Sequence, residues 1–208
     1  MKLAYLALLV SFTWVSSCSI LPKSEPSDVY RLPASQGSVA ASHSAPQRWS
    51  LRLTKLQASN ALDGPNIAVI PQGDVISSYK GSRWSDPAPV LLRNRLLDGF
   101  QRDGRVPLLS TDDSIFQADL ELGGHLQAFQ TEYQGTTATV VVSLDALLVR
   151  GYDQRILASR RFEVRQPLSD VNVPAVVAGF GQASDQLTVQ VVNWAVEQGQ
   201  KVELPARP

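Results

Sequence analysis

The chain has 208 residues, 44% of them hydrophobic, and its 19 basic residues are balanced by 19 acidic ones. This composition indicates a globular protein large enough to bury a sizeable core. The zero net charge excludes binding of nucleic acid or of acidic substrates through bulk charge.

The first eighteen residues have the layout of a secretory signal. Lys2 is followed by an apolar run from Leu3 to Trp14, and small side chains then lead to Cys18, the only cysteine. The run is shorter than the roughly 20 apolar residues that a membrane-spanning helix needs. The residues around Cys18 resemble the bacterial lipobox, in which the cysteine thiol is acylated and becomes the first residue of the mature protein. We therefore expect a signal peptide over residues 1–17 and lipidation of Cys18.

An ordinary signal peptide that ends near a buried or disulfide-bonded cysteine is the alternative interpretation. A lone cysteine has no partner within its own chain, so such a disulfide would need a second chain. In the lipoprotein interpretation, two or three acyl chains, such as palmitate, hold the protein stably on a bilayer. Ser19 follows Cys18, whereas an aspartate there would resemble an inner-membrane retention signal. We therefore expect the periplasmic face of the outer membrane of a Gram-negative bacterium.

Residues 18–47 are predicted to be a lipidated flexible tether, because they are rich in serine and proline and contain few large apolar residues. Val29, Tyr30 and Leu32 interrupt this composition. We interpret them as a short strand or anchor packed on the folded domain, the alternative being an apolar spot in a disordered tail. The domain itself is predicted over residues 48–200, and a C-terminal tail over 201–208.

Short strands are predicted in the first part of the domain. Trp49, Leu51 and Leu53 alternate with polar residues, which is the period of a half-buried strand. Further strands are predicted at 66–70, ending at Pro71, and at 74–79, with a turn at Gln72-Gly73 between them.

A helix with readable ends follows. Asp86 is the predicted N-cap, Pro87 the first helical residue, and Gly104 the C-cap. The predicted buried face consists of Leu92, Leu96, Leu97 and Phe100. The residues predicted to face away from the core are Arg93, Arg95, Gln101 and Arg102.

The middle of the domain is predicted to be mostly β structure. A strand is predicted at 105–109, and three antiparallel strands at 118–128, 138–148 and 156–164 follow from alternating apolar residues joined by short turns. Arg161 and Arg165 are predicted to lie on the outer face of the third strand, beside Glu163.

The last helix is predicted from a continuous apolar stripe, with Asn172 as its N-cap. The stripe consists of Val173, Val177, Phe180, Ser184, Leu187, Val191 and Trp194. We interpret it as a helix that covers a sheet. The predicted fold class is therefore α/β (α+β), with a mainly antiparallel sheet and two principal helices packed on one face in a single domain.

No catalytic or metal-binding pattern stands out in the sequence. His43 lies in the predicted tether and His125 in a predicted strand, without a second histidine at metal-ligand spacing. No G-x-S-x-G nucleophile signature or glycine-rich phosphate loop is present. Asp112-Asp113 and Asp170 are interpreted as turn and cap residues. We therefore predict no enzyme, no metal and no cofactor, and keep a periplasmic hydrolase that uses His125 as a less favoured alternative.

The order and spacing of several features resemble a known family. These features are Cys18, Tyr30-Arg31-Leu32, Tyr79, Trp84, Pro87, Pro89, Leu92, Leu96, Ala118-Asp119-Leu120, Phe129, Ala158, Phe162, Val177-Ala178-Gly179-Phe180, Leu187 and Trp194. On these residues the chain resembles the auxiliary lipoproteins of ABC-type transport systems, the PqiC-like partners of MCE-domain lipid transporters. Gly181 departs from the asparagine-like polar residue usual in that family.

The resemblance implies a function that composition and periodicity do not reveal. It implies a non-enzymatic outer-membrane component that docks the periplasmic MCE assembly of a lipid transport system. The implied partners are an MCE-domain protein, an ABC permease and an ATPase, and a homo-oligomer is compatible with it. A structural lipoprotein that assists outer-membrane assembly is the alternative of another class.

Overall fold

The computed structural model describes residues 26–35 and 46–203, in which two helices cover a nine-stranded sheet. The elements are β1 (Asp28–Tyr30), β2 (Ser50–Leu53), β3 (Gln57–Ala58), β4 (Asn66–Gln72), β5 (Val75–Trp84), α1 (Ala88–Asp103), β6 (Leu108–Thr111), β7 (Leu120–Gln134), β8 (Thr137–Arg150), β9 (Ile156–Pro167) and α2 (Val173–Gly199). The predicted signal peptide, Cys18, Ser19, His43 and the end of the predicted tail lie outside the described residues.

The three predicted antiparallel strands are confirmed as β7, β8 and β9. The β7–β8 pairing runs from Leu120 beside Arg150 to Gln134 beside Thr137. A register shift between Leu126 and Ala128 changes the alternation of β7. These two long ladders confirm the mainly antiparallel α+β fold.

The other edge of β7 pairs with three short strands in succession. β2, β3 and β4 all run parallel to β7, at its beginning, middle and end respectively. Beyond them, β6 pairs with β2 in parallel, β5 pairs with β4 in an antiparallel hairpin, and β1 pairs with β5 in parallel. Five short parallel pairings therefore accompany the long antiparallel ladders.

The registers give the sheet two distinct ends. Because β4 runs parallel to the last part of β7, the β4–β5 turn lies at the same end as the β7–β8 turn. We call this the hairpin end. The β8–β9 turn, β2 and β6 lie at the beginning of β7, which we call the β6 end. The 15 residues of β7 separate the two ends by roughly 45 Å.

The β4–β5 hairpin extends beyond its predicted limits. Pro71 was predicted to end the first strand, but β4 continues to Gln72 because the register shifts between Val69 and Gln72, where no ladder donor is required of proline. Gly73 has a φ of 55° in the predicted turn. β5 continues past Tyr79 to Trp84.

Helix α1 has its predicted C-cap but not its predicted N-cap. Gly104 adopts a left-handed φ of 72°, and its N–H bonds to the carbonyl of Phe100. At the other end the N-cap position is Pro87, which offers no capping side chain. The Asp86 prediction is therefore wrong: its carboxylate instead accepts a hydrogen bond from the Ser85 hydroxyl.

The prediction that Arg93 and Arg95 face solvent is also wrong. They are 7% and 6% exposed, because acidic residues from other segments pair with both guanidinium groups. The strand predicted at 105–109 is displaced toward the C-terminus and forms β6. In β9, Arg161 and Arg165 are exposed as predicted, and they pair with Asp145 and Glu132 across the strands.

The predicted second helix is confirmed as α2. Asn172 caps it by accepting a hydrogen bond from the N–H of Ala175 at 2.9 Å. Phe180, Leu187 and Trp194 of the stripe are all buried. Neither helix of the described chain has the length and apolar character needed to cross a membrane.

An aromatic cluster lies between α2 and the sheet. Phe180 stacks on Phe129 at 4.7 Å, and Trp84 meets both rings edge-on. Trp84, the last residue of β5, is fully buried in this cluster.

The segment at 26–35 packs on the domain, although it lies within the predicted tether. Val29 pairs with Arg83 in the β1–β5 register, while Tyr30 and Leu32 pack against the core. A Cβ atom at Gly181 would lie 3.2 Å from Pro33, so a larger side chain would press on this segment. The interpretation of residues 29–32 as a strand or anchor is confirmed.

Candidate functional site: a groove at the β6 end

A groove of about 870 Å³ opens at the β6 end of the sheet. Its lining comes from β2, β6, the loop before β7, the start of β7 and the β8–β9 turn. The lining residues are Ser50, Arg52, Leu108, Leu109, Ser110, Phe116, Gln117, Ala118, Asp119, Glu121, Gly151, Tyr152 and Gln154. Segments more than 100 positions apart in the sequence therefore build one surface.

The floor of the groove carries a charged pair. Arg52 of β2 lies beside Glu121 of β7 in the strand register, with 3.6 Å between the guanidinium and the carboxylate. The Nε atom of Arg52 is buried and makes no hydrogen bond within the described part of the chain. The floor therefore combines two opposite charges, and the guanidinium contributes one buried donor without a partner among the described residues.

Ser50 and Asp119 close the floor at one side through reciprocal hydrogen bonds. The Asp119 carboxylate accepts from both the N–H and the hydroxyl of Ser50 at 2.7 Å, and the Ser50 hydroxyl accepts from the N–H of Asp119 at 2.9 Å. Gly151 then donates its N–H to the Asp119 carbonyl. A Cβ atom at Gly151 would lie 2.1 Å from the carbonyl oxygen of Ala118, so glycine is required for this close approach. These contacts join the starts of β2 and β7 to the β8–β9 turn.

The rim of the groove and the loop beside it expose large apolar side chains. Ile115 is 97% exposed and Phe116 is 70% exposed, and Leu108 and Tyr152 are also exposed. The Arg150 guanidinium lies 5.0 Å from the centre of the Tyr152 ring. Large apolar side chains exposed close together on a surface mark sites of contact with other proteins.

The loop between β6 and β7 is attached to α1 by ion pairs at its start, while Ile115 and Phe116 at its tip are exposed. Arg93 of α1 pairs with both Asp112 and Asp113, the latter at 2.9 Å. The Asp112 carboxylate also accepts the backbone N–H of Lys55 at 2.7 Å. Burial acts to raise the pKa of Asp112, but the Lys55 N–H and the Arg93 guanidinium outweigh it and hold the pKa below its ordinary value. The start of the loop that carries Ile115 and Phe116 is therefore fixed in position by these contacts.

Strand β6 offers a second means of binding. It is the last strand on its side of the sheet and pairs with β2 along one edge only. Its other edge faces no strand among the described residues, so its backbone groups can pair with an added strand. The groove can therefore receive an extended protein segment through main-chain hydrogen bonds and apolar side-chain contacts.

His125 lies in a separate hollow. This hollow of about 300 Å³ is lined by Thr54, Lys55, Gln57, Gly124, His125, Asp145 and Leu147. The β7–β8 register places the exposed His125 beside Asp145, a neighbour that sequence spacing does not indicate. The Asp145 carboxylate is held by Arg161 at 2.5 Å and by Gln127 at 2.7 Å. These contacts lower its pKa, the Arg161 side chain contributing most.

This arrangement does not resemble an acyl-transfer triad. The lining of the hollow contains no serine or cysteine, and the Thr54 hydroxyl is directed to the Leu122 carbonyl at 3.4 Å. The acid beside His125 is neutralised by an arginine rather than orienting the imidazole. Within residues 26–35 and 46–203, no three metal-ligating side chains come together.

The structure places the other sequence-predicted residues in structural roles. Asp170 accepts the N–H of Asn172 at 3.0 Å, as a residue near a helix start does. Sequence reasoning missed the burial of Arg93, the contact between Ser50 and Asp119, and the exposure of Ile115 and Phe116. For the exposure of Ile115 and Phe116, the sequence offers one signal, which is an apolar pair inside a loop of polar residues.

Residues 30–192 match the family model described as the ABC-type transport auxiliary lipoprotein component. An uncharacterized protein of Bradyrhizobium diazoefficiens is 29% identical over 168 residues, which are 80% of this chain and 43% of that protein. The chain therefore spans less than half the length of this curated relative.

The fold is similar to that of solved structures. A crystal structure of a protein from Xanthomonas campestris superposes with a TM-score of 0.76 at 29% identity, covering 84% of this chain and 98% of that one. A crystal structure of an uncharacterized protein superposes with a TM-score of 0.63 at 17% identity, covering 82% and 99%. The second likeness concerns the fold alone.

Proposed function

Because the chain belongs to the family of ABC-type transport auxiliary lipoprotein components, we propose that it docks the periplasmic MCE assembly of a lipid transport system to the outer membrane. The family match over residues 30–192 is the observation that carries this proposal. In this role the protein binds and positions its partners and catalyses no reaction.

Cys18 is the proposed point of attachment to the membrane. It ends the predicted signal peptide, and membership of a lipoprotein family supports its acylation. Ser19 in the next position supports the outer membrane over the inner membrane. Two or more acyl chains on one cysteine suffice for stable anchoring, whereas one chain alone binds marginally.

The groove at the β6 end is the proposed docking surface for the MCE-domain protein. It combines the exposed Ile115 and Phe116, the Arg52–Glu121 pair and an open strand edge. Together these features suit a segment of a protein partner better than a small molecule, because a free strand edge recognises an extended backbone. The MCE-domain protein would then connect this protein to the permease and the ATPase of the transport system.

Fractionation of cells tests the anchor. Wild-type protein is expected to label with palmitate and to sediment with the outer membrane, and a Cys18→Ala variant is expected to do neither. A Cys18→Ala protein that still labels with palmitate contradicts lipidation at this residue.

Photo-crosslinking in intact cells tests the docking surface. A photoreactive residue at Phe116 is expected to form an adduct with an MCE-domain protein, identified by mass spectrometry. The matched control places the same residue at Val189, an exposed apolar position on α2. If Phe116 instead captures an outer-membrane assembly protein, the alternative of a structural assembly lipoprotein is supported. Equal capture of the MCE-domain protein from both positions contradicts the groove as the docking site.

A further inference from the structure

We propose that the hairpin end of the sheet rests on the bilayer that holds the acyl chains, with Val75 and Ile76 in its headgroup region. This inference rests on the proposed lipidation of Cys18 and adds which surface of the domain meets the membrane.

The direction of β1 determines where the chain leaves the domain. β1 runs parallel to β5, with Asp28 beside Ser82 and Tyr30 beside Trp84. Moving from Asp28 toward the N-terminus therefore follows β5 backward, toward Val75 at the β4–β5 turn. Where the described segment begins, before Asp28, the chain is therefore directed toward the hairpin end and away from the groove.

The length of chain between Cys18 and β1 limits the distance to the membrane. Cys18 and Asp28 are ten positions apart, and a fully extended chain spans at most about 36 Å over that length. Along β5, Val75 and Ser82 are seven positions apart, which is about 23 Å in a strand. In the direction of the hairpin, Cys18 can therefore reach at most about 13 Å past it, so in the proposed orientation the bilayer surface lies close to the hairpin.

The hairpin end has the surface that such a position requires. Val75 is 63% exposed and Ile76 is 45% exposed, although both are β-branched apolar residues. Residues 71–78 and 134–137 form the β4–β5 and β7–β8 turns with their adjacent strand residues, and Asp74 is the only charged residue among them. The β9–α2 loop at the same end contains Asp170. By contrast, the β8–β9 turn at the β6 end is flanked by Arg150 and Arg155. An apolar tip with few charges can enter a headgroup region without desolvating ion pairs.

This orientation gives the domain a defined polarity. The hairpin end lies against lipid, and the groove lies at the opposite end of β7, roughly 45 Å away in the aqueous space. A partner that approaches from the periplasm would then meet the groove directly.

Lipid-dependent quenching tests the proposed contact on the full-length lipoprotein. Cys18 is the only cysteine, so once it is acylated, a cysteine introduced at Val75 is the only free thiol. Val75→Cys is labelled with an environment-sensitive fluorophore and reconstituted in vesicles of phosphatidylethanolamine and phosphatidylglycerol. Ile115→Cys, labelled in the same way, is the control, because it replaces an exposed β-branched residue at the β6 end. Flotation of the vesicles reports the lipid anchor independently of the label.

The expected result is that both proteins float and that nitroxide-bearing lipid quenches the Val75 label but not the Ile115 label. Floating protein with both labels unquenched overturns the contact and leaves the anchor intact. Protein that does not float overturns the anchor and the inference with it. A Val75 label that lipid does not quench, but that becomes shielded as protein density in the vesicles rises, assigns the hairpin to a contact between copies and also overturns the inference.

Discussion

The guanidinium of Arg95 lies 2.6 Å from the carboxylate of Asp185 and also donates to the carbonyl of Pro33. One buried side chain therefore connects α1, α2 and the segment that leads to Cys18. Because Pro33 also packs on Gly181, the segment 26–35 is attached to both helices. The direction in which the tether leaves the domain depends on this contact as well as on the β1–β5 pairing.

Loss of this contact should destabilise the domain. Arg95→Met removes the charge that pairs with Asp185, and we expect the free energy of unfolding to fall by about 3 kcal/mol because a largely buried carboxylate loses its ion pair with Arg95. Arg102→Met is the control on the same helix, since its pair with Asp98 is more exposed; its cost should stay within about 0.5 kcal/mol. Urea denaturation of the full chain in detergent measures both values. Equal costs would show that Arg95 has no special role.

The buried stripe of α2 should behave as core. Leu187 is fully buried, so Leu187→Ala should cost about 2–5 kcal/mol through lost burial and the cavity left behind. Gln190 is exposed on the same helix, and Gln190→Ala should change stability by less than about 0.5 kcal/mol. Thermal melts compare the two variants. An unchanged melting temperature for Leu187→Ala would argue that this helix face is a docking surface instead.

The loop that carries Ile115 and Phe116 should weaken in acid. The pKa of Asp112 in the folded protein is held below its ordinary value. The contribution of Asp112 to stability is therefore complete when the pH is above the ordinary pKa, and it is lost as the pH falls through the lowered pKa of the folded state. At neutral pH we expect Asp112→Asn to cost about 1–2 kcal/mol, because hydrogen bonds to the charged carboxylate are weakened.

The difference between wild type and Asp112→Asn should shrink as the pH falls from about 5 to about 2. Urea denaturation across this pH range measures the difference in free energy of unfolding. Protonation of the other carboxylates affects both proteins equally and does not change this difference. A difference that is constant with pH would mean that the carboxylate is not the source of the effect.

His125 should be dispensable. Its side chain is exposed, and the neighbouring Asp145 is bound by Arg161 rather than arranged for proton transfer. We therefore expect His125→Ala to keep its stability within about 0.5 kcal/mol and to complement a deletion strain in a lipid-transport phenotype. A well-folded His125→Ala protein that fails to complement would contradict the non-enzymatic role.

Part of the candidate site could be predicted from the sequence. The Ala118-Asp119-Leu120 run was one of the features of the family resemblance. In the structure, the Asp119 carboxylate accepts hydrogen bonds from Ser50 and joins β2 to β7. Ser50 itself has no sequence signal, because its partner is 69 positions away. The open edge of β6 was also out of reach, since an edge is defined by strand order and not by the residues of the strand.

The sequence by itself determined the types of the main elements and the buried faces of β8, β9 and α2. Periods of two and of about 3.6 residues are local properties, so the β7–β9 ladders and the stripe of α2 could be read without any tertiary information. The residues that resemble a lipobox at Cys18 are likewise a local motif and predict the anchor from a few adjacent positions.

Only the tertiary structure decided which charges are buried and where the chain leaves the sheet. Arg93 and Arg95 lie at polar positions of an amphipathic helix, and whether such a charge faces solvent or protein depends on the acid that the fold brings to it. The parallel placement of β1 beside β5 depends on which strand edge is open once the rest of the sheet has formed. Both outcomes depend on pairings between distant segments, because the free energy of a charge or of a strand edge depends on its neighbours in space.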